Sequence, residues 1–147
     1  MTRIIALLLV LCSVASSAWA ADIVISRAIV VAPPNANAPS VAAYFTIENH
    51  GTLADKLVGV ATITAVSAML HENVNNNGVM TMNMLDHLDI AAGATVQMKP
   101  AELHVMLVGI KTPYKIDDDV GFELEFANAG KMQVTAKVVP LSAALGN

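Results

Sequence analysis

Four side chains in the second half of the chain could hold a soft metal ion: His71, Met82, His104 and Met106. Two imidazoles and two thioethers form a donor set that suits Cu(I). They can act together only if they meet in space, and the local pattern favours that. Leu103-His104-Val105-Met106-Leu107 has the composition of a β-strand. In a strand, side chains at i and i+2 share one face, about 6.6 Å apart along the chain. His104 and Met106 are therefore expected to point the same way. Met80, Met82 and Met84 alternate likewise and form a second stripe.

The chemistry of the set narrows the choice of metal. Cu(I) has a filled d shell and takes neutral sulfur and imidazole ligands readily. Thioether is a poor zinc ligand, and the set contains no carboxylate or thiolate. A cysteine would bind Cu(I) more tightly but is open to oxidation and disulfide exchange outside the cytoplasm. Neutral donors also leave the ion removable by a thiolate acceptor.

The other candidates have plainer readings. A methionine in a strand is usually core filler, which is the expectation for Met69, Met98 and Met132. Met80 and Met84 share the face of Met82, and whether they shield or assist the site stays open. His50 lies in an Asn-His-Gly turn and His87 beside Asp86, and both read as surface residues. Asp86-His87 lacks the Ser or Cys nucleophile that a catalytic triad requires. Asp117-Asp118-Asp119 lacks the alternating oxygen spacing of a calcium loop and reads as a solvated turn.

The elements that must position these donors begin after a secretory signal. Arg3, the apolar run Ile4 to Ala15 and the cleavage site Ala18-Trp19-Ala20 mark residues 1–20 as a segment to be removed. The run is too short to span a bilayer, and no later stretch is long and apolar enough to do so. Leu9-Val10-Leu11 lacks the small residue expected before a lipidated cysteine, so Cys12 is not read as a lipid anchor. Cleavage removes the single cysteine and the single tryptophan. No disulfide framework or cysteine metal site then remains. Loss of Arg3 takes the formal net charge from −4 to −5. That acidic balance argues against nucleic acid and against anionic membrane surfaces.

The rest reads as one domain, residues 21–140, followed by a short flexible tail, 141–147. Strand-like runs fall at 23–31, 41–48, 56–60, 65–71, 79–85, 94–99, 103–108, 120–126 and 132–139. A proline-rich loop at 32–39 and turns at 75–78, 92–93, 117–119 and 128–130 separate them. Many short strands without a long helical period indicate an all-β fold, an antiparallel β-sandwich or barrel.

The spacing His71, ten residues, Met82, twenty-one residues, His104-x-Met106 resembles that of the periplasmic PCu(A)C-type copper chaperones. Val41-Ala42-Ala43-Tyr44, Asp55-Lys56-Leu57-Val58-Gly59, Gly78-Val79-Met80 and His104-Val105-Met106-Leu107 are similar as well. The resemblance covers nearly the whole chain after residue 20. It departs at Asn73, where members often have methionine, and in the tail, which lacks the His/Met donors some members carry there. It implies a cupredoxin-like sandwich of Greek-key type, a monomer and a Cu(I) site at His71, Met82, His104 and Met106. It further implies a periplasmic metallochaperone, not an enzyme, that delivers copper to the copper-site subunit of cytochrome c oxidase. A Sco-type thiol protein would be a second partner. The competing role is a copper-sequestering or resistance protein with no dedicated acceptor.

Overall fold

The computed structural model describes residues 22–35 and 37–146. The expected signal segment, with Arg3, Cys12 and the Ala18-Trp19-Ala20 site, lies outside them. Ten strands follow in order: β1 Ile23–Val31, β2 Ser40–Asn49, β3 Asp55–Ala61, β4 Ala65–Asn76, β5 Val79–Leu85, β6 Leu88–Ile90, β7 Thr95–Gln97, β8 Leu103–Ile110, β9 Asp119–Phe126 and β10 Gly130–Val139. They form one hydrogen-bonded ladder in the order β5-β4-β8-β2-β1-β10-β9-β3-β6, with β7 paired to β2. The ladder closes over a single core, giving the expected cupredoxin-like all-β fold.

The strand β6 falls outside the runs expected from the sequence, and further features differ from that reading. The pairing of β1 with β10 is parallel, whereas all other pairs are antiparallel. These strands sit at opposite ends of the chain, so no tight turn forces them to run in opposite senses. β4 continues to Asn76 rather than stopping at His71, because Glu72 to Asn76 pair with β5. The reversal is then only Asn77-Gly78, both at positive φ (53° and 89°), the backbone of a two-residue hairpin. Finally, the segment expected as a flexible tail carries a short helix, α1 Leu141–Leu145. Ala144 is buried, and the Arg27 guanidinium donates to the Ala143 carbonyl at 3.2 Å.

The core fixes which way each strand faces. Phe45 of β2 meets Phe122 of β9 edge to face, with centroids 5.2 Å apart. Leu70 of β4 and Val105 and Leu107 of β8 join the same buried cluster as Leu57, Leu124 and Phe126. Strand side chains alternate, so burying Leu70, Val105 and Leu107 turns His71, His104 and Met106 outward.

The β4–β8 ladder that carries this face has a backbone constraint at Gly109. Its φ is +68°, a region L-residues avoid, and its N–H donates to the Pro39 carbonyl at 3.2 Å. A Cβ there would lie 2.7 Å from Val66 Cγ2 and 2.9 Å from Val66 Cβ, so side-chain rotation cannot relieve the clash. Gly109→Ala should destabilise the apo protein by about 2 kcal/mol in chemical denaturation, of which about 1–2 is left-handed backbone strain. Adding Val66→Ala should remove only the Cγ2 contact and so recover a fraction of the loss, since the Val66 Cβ and the backbone strain both remain. An unchanged midpoint for Gly109→Ala would contradict this account.

Candidate metal centre

The site is built from three neighbouring strands, β5, β4 and β8, on the face turned away from the core. His71 of β4 and His104 of β8 are register partners. Their rings stand 5.8 Å apart at 86°. Met82 of β5 is paired with Asn73, one step diagonally from His71. Its Sδ lies 3.1 Å from His71 Nδ1, so an imidazole nitrogen and a thioether sulfur converge on one point. Met106 lies two residues beyond His104 on the same face, in register with Met69. His71 thus touches Met82 and stands ring to ring with His104, while Met106 lies on the same face two residues further along β8.

The two histidines differ in setting. His104 is buried despite facing outward, beside the Tyr44 ring at 6.5 Å between centroids. Its Nδ1 is 3.1 Å from the Glu102 carbonyl oxygen. An Nδ1–H donating there fixes the ring and leaves the Nε2 lone pair for a metal. The same Glu102 carbonyl accepts from the Asn73 N–H at 3.2 Å, tying the 99–102 turn to β4. His71 is half-buried and Met82 is 48% exposed. The group therefore has a closed side, at His104 and Tyr44, and an open side, at β5. β5 is the edge of the ladder.

Strand parity places three more methionines on this face, Met69, Met80 and Met84. Met84 is the register partner of His71, and Met69 that of Met106. Met69 was expected in the core with Met98 and Met132. Met98 is buried and Met132 packs against the core, but Met69 is half-exposed on the outer face, because Leu70 takes the inward position. The signal was legible in β4, since Met69 and His71 are two residues apart. Tyr44 and the Glu102 carbonyl left no such signal. They reach His104 only through the pairing of β2 with β8 and the turn before β8.

The remaining polar groups behave as surface. His50 lies 3.1 Å from Glu48, and His87 stands near Lys56 and Asp89. Among the described residues, no three His, Cys, Asp or Glu side chains gather at one point. The convergent donors are imidazole and thioether, which suit a soft d10 ion rather than zinc or calcium.

Comparison with known proteins adds lineage to this geometry. A family model described as "Putative lipoprotein LpqE-like" matches residues 23–138, nearly all of the described chain. The chain belongs to the LpqE-like family. A curated relative, "Putative lipoprotein Lxx21020" of Leifsonia xyli subsp. xyli, is 32% identical over 107 residues, 72% of this chain. This LpqE-like chain spans 64% of that relative's length. Among solved structures, the apo form of DR1885 from Deinococcus radiodurans is 30% identical, with a TM-score of 0.63 over 95% of this chain and 93% of that one. The Cu(I) form of DR1885 is 35% identical, with a TM-score of 0.63 over 76% and 74%. A copper-bound PCuAC domain from PmoF2 shares the fold, with a TM-score of 0.69 at 23% identity over 81% and 93%.

Burial, and then the charge of nearby His104, hold the His71 imidazole below its ordinary range. The folded value is the lower one, so as pH falls through about 6.5 the unfolded chain takes up the proton first. His71 therefore stays neutral, and a donor, further into acid than a free imidazole, while the apo fold loses stability there. In an NMR titration of the apo protein, His71 should titrate below about 6.5. His104→Ala should move that midpoint upward. A wild-type midpoint at or above the free-imidazole value would contradict the assignment.

Proposed function

We propose that this LpqE-like protein carries Cu(I) in the periplasm, bound by His71, Met82, His104 and Met106, and delivers it to the dinuclear copper site of cytochrome c oxidase. The observation that carries the reading is the 3.1 Å approach of His71 Nδ1 to Met82 Sδ beside the His104 ring. Two imidazoles and thioethers on one outward face are a poor choice for packing and a good one for Cu(I). The likeness to DR1885, solved with Cu(I), supports the same ion here.

The architecture suits a carrier. Four neutral protein donors leave no open position for a substrate, which argues for binding rather than catalysis. His104 and Tyr44 hold the inner side, and the edge strand leaves the outer side within reach of a partner. A thiolate-containing acceptor binds Cu(I) more tightly than neutral donors do, so transfer runs downhill without an energy source. Residues 1–20 support export to the periplasm. The word lipoprotein in the family description and in the relative's name fits export too, although the sequence before Cys12 lacks the small residue of a lipidation site. No helix among the described residues is long and apolar enough to cross a membrane.

X-ray absorption of the loaded protein should report two nitrogen and two sulfur donors around one Cu(I). His104→Ala should weaken Cu(I) binding by about a hundredfold or more, the scale of losing a ligand. Met132→Leu should leave affinity unchanged, since Met132 packs against the core. Mixing the loaded protein with apo oxidase copper domain should transfer the ion. Deleting the gene should lower oxidase activity at low copper, and a His104→Ala copy should fail to restore it. If deletion spares the oxidase and makes cells copper-sensitive, the protein is a copper buffer instead.

A further inference from the structure

The face that carries the site holds more soft donors than four ligands account for. β5 runs Val79-Met80-Thr81-Met82-Asn83-Met84-Leu85, and its three methionines are 54%, 48% and 65% exposed. An exposed edge strand ordinarily carries polar or charged residues there, since apolar side chains on an open edge invite unwanted pairing. Leu85 turns inward and packs against the core, so Met84 must turn outward. Its register partner is His71 itself. Side chains paired directly across antiparallel strands have Cβ atoms about 4.5–5.5 Å apart. Met82, which touches His71, approaches from the diagonal position. His71 is thus flanked by two thioethers from one strand, one in contact and one directly opposite.

We propose that Met84 is an exchanging thioether ligand, able to take the place of Met82 on the ion held at His71 and to draw that ion toward the open edge of the sheet. The proposal rests on the four-donor reading given above. Methionine is unbranched, with three rotatable bonds and a polarizable sulfur, so Met84 can swing to His71 without moving the backbone. At 65% exposure it has little packing to lose in doing so. Exchange balances simply: one neutral Cu–S bond forms as another breaks, with no proton or electron transferred. A ligand that can be replaced one bond at a time lets the ion leave without passing through an under-coordinated state. Met80 is less suited, since its register partner is Asn75, four residues beyond His71. Met69 is less suited for Met82's place because it lies opposite Met106 on the far side of His71.

The test uses Met82→Leu, Met84→Leu and the double variant, substitutions that keep an apolar side chain of similar volume. Each is loaded with Cu(I) and measured by X-ray absorption and by competition with a chromophoric Cu(I) chelator. Met82→Leu should keep two nitrogen and two sulfur donors and lose no more than about tenfold in affinity, the scale of one modest interaction. The double variant should fall to one sulfur and lose clearly more. Met84→Leu alone should keep the wild-type shell and release Cu(I) to the chelator more slowly. If Met82→Leu falls to one sulfur, Met84 is not an alternate ligand, although the four-donor site stands. If the double variant keeps two sulfurs, another methionine supplies the second and the assignment to Met84 is wrong. If Met84→Leu releases copper at the wild-type rate, the exchange role is overturned. A wild-type shell lacking two nitrogens and two sulfurs would instead overturn the four-donor reading itself.

Discussion

The site depends on strand parity anchored by a buried core. Leu70, Val105 and Leu107 are committed to the interior, and burial of side chains of this size is worth roughly 1.5–3 kcal/mol each. A slip of one residue in β4 or β8 would turn them outward and point His71, His104 and Met106 into the core instead. The register that stabilises the fold is therefore the register that assembles the donors. Pairing His71 with His104 across β4 and β8 needs no dedicated contact between the rings, because the core on the opposite face enforces it.

Within that frame the site is asymmetric. His104 is held by the Glu102 carbonyl and walled by Tyr44, so one donor is pre-positioned and its tautomer defined. His71 and the β5 methionines sit toward solvent on the edge of the ladder. In the proposed carrier, a rigid inner donor would keep the ion from being lost at random. Movable outer donors would keep it reachable. The lowered proton affinity of His71 serves the same end, since a neutral imidazole is the only form that binds metal.

The face departs from what stability alone would select. Exposed methionines on an edge strand contribute little to folding and carry an association risk. Such local departures are where a binding surface is expected, because a chain built for stability alone would place polar residues there. The hairpin that presents them is itself well made. Asn77-Gly78 supplies the positive φ angles its turn requires, and Asn75 Oδ1 accepts the Gly78 N–H at 2.8 Å.

The sequence by itself determined the all-β class, most of the strands and the choice of candidate donors. Period-two alternation and turn residues mark strands locally, and soft-ligand chemistry belongs to residue type rather than to position in space. The parity of His104 and Met106 was legible for the same reason, since two residues of one strand need no partner to define their common face. Only the tertiary structure decided what depends on pairing between distant segments. It joined the two halves of the ladder through a parallel β1–β10 pair and lengthened β4 by pairing it with β5. It turned Met69 out of the core and seated α1 through Ala144 and Arg27. It brought Tyr44 and the Glu102 carbonyl to His104 and set Met84 opposite His71. The physical reason is that strand register is fixed by long-range burial and backbone hydrogen bonding, which no local stretch of sequence contains.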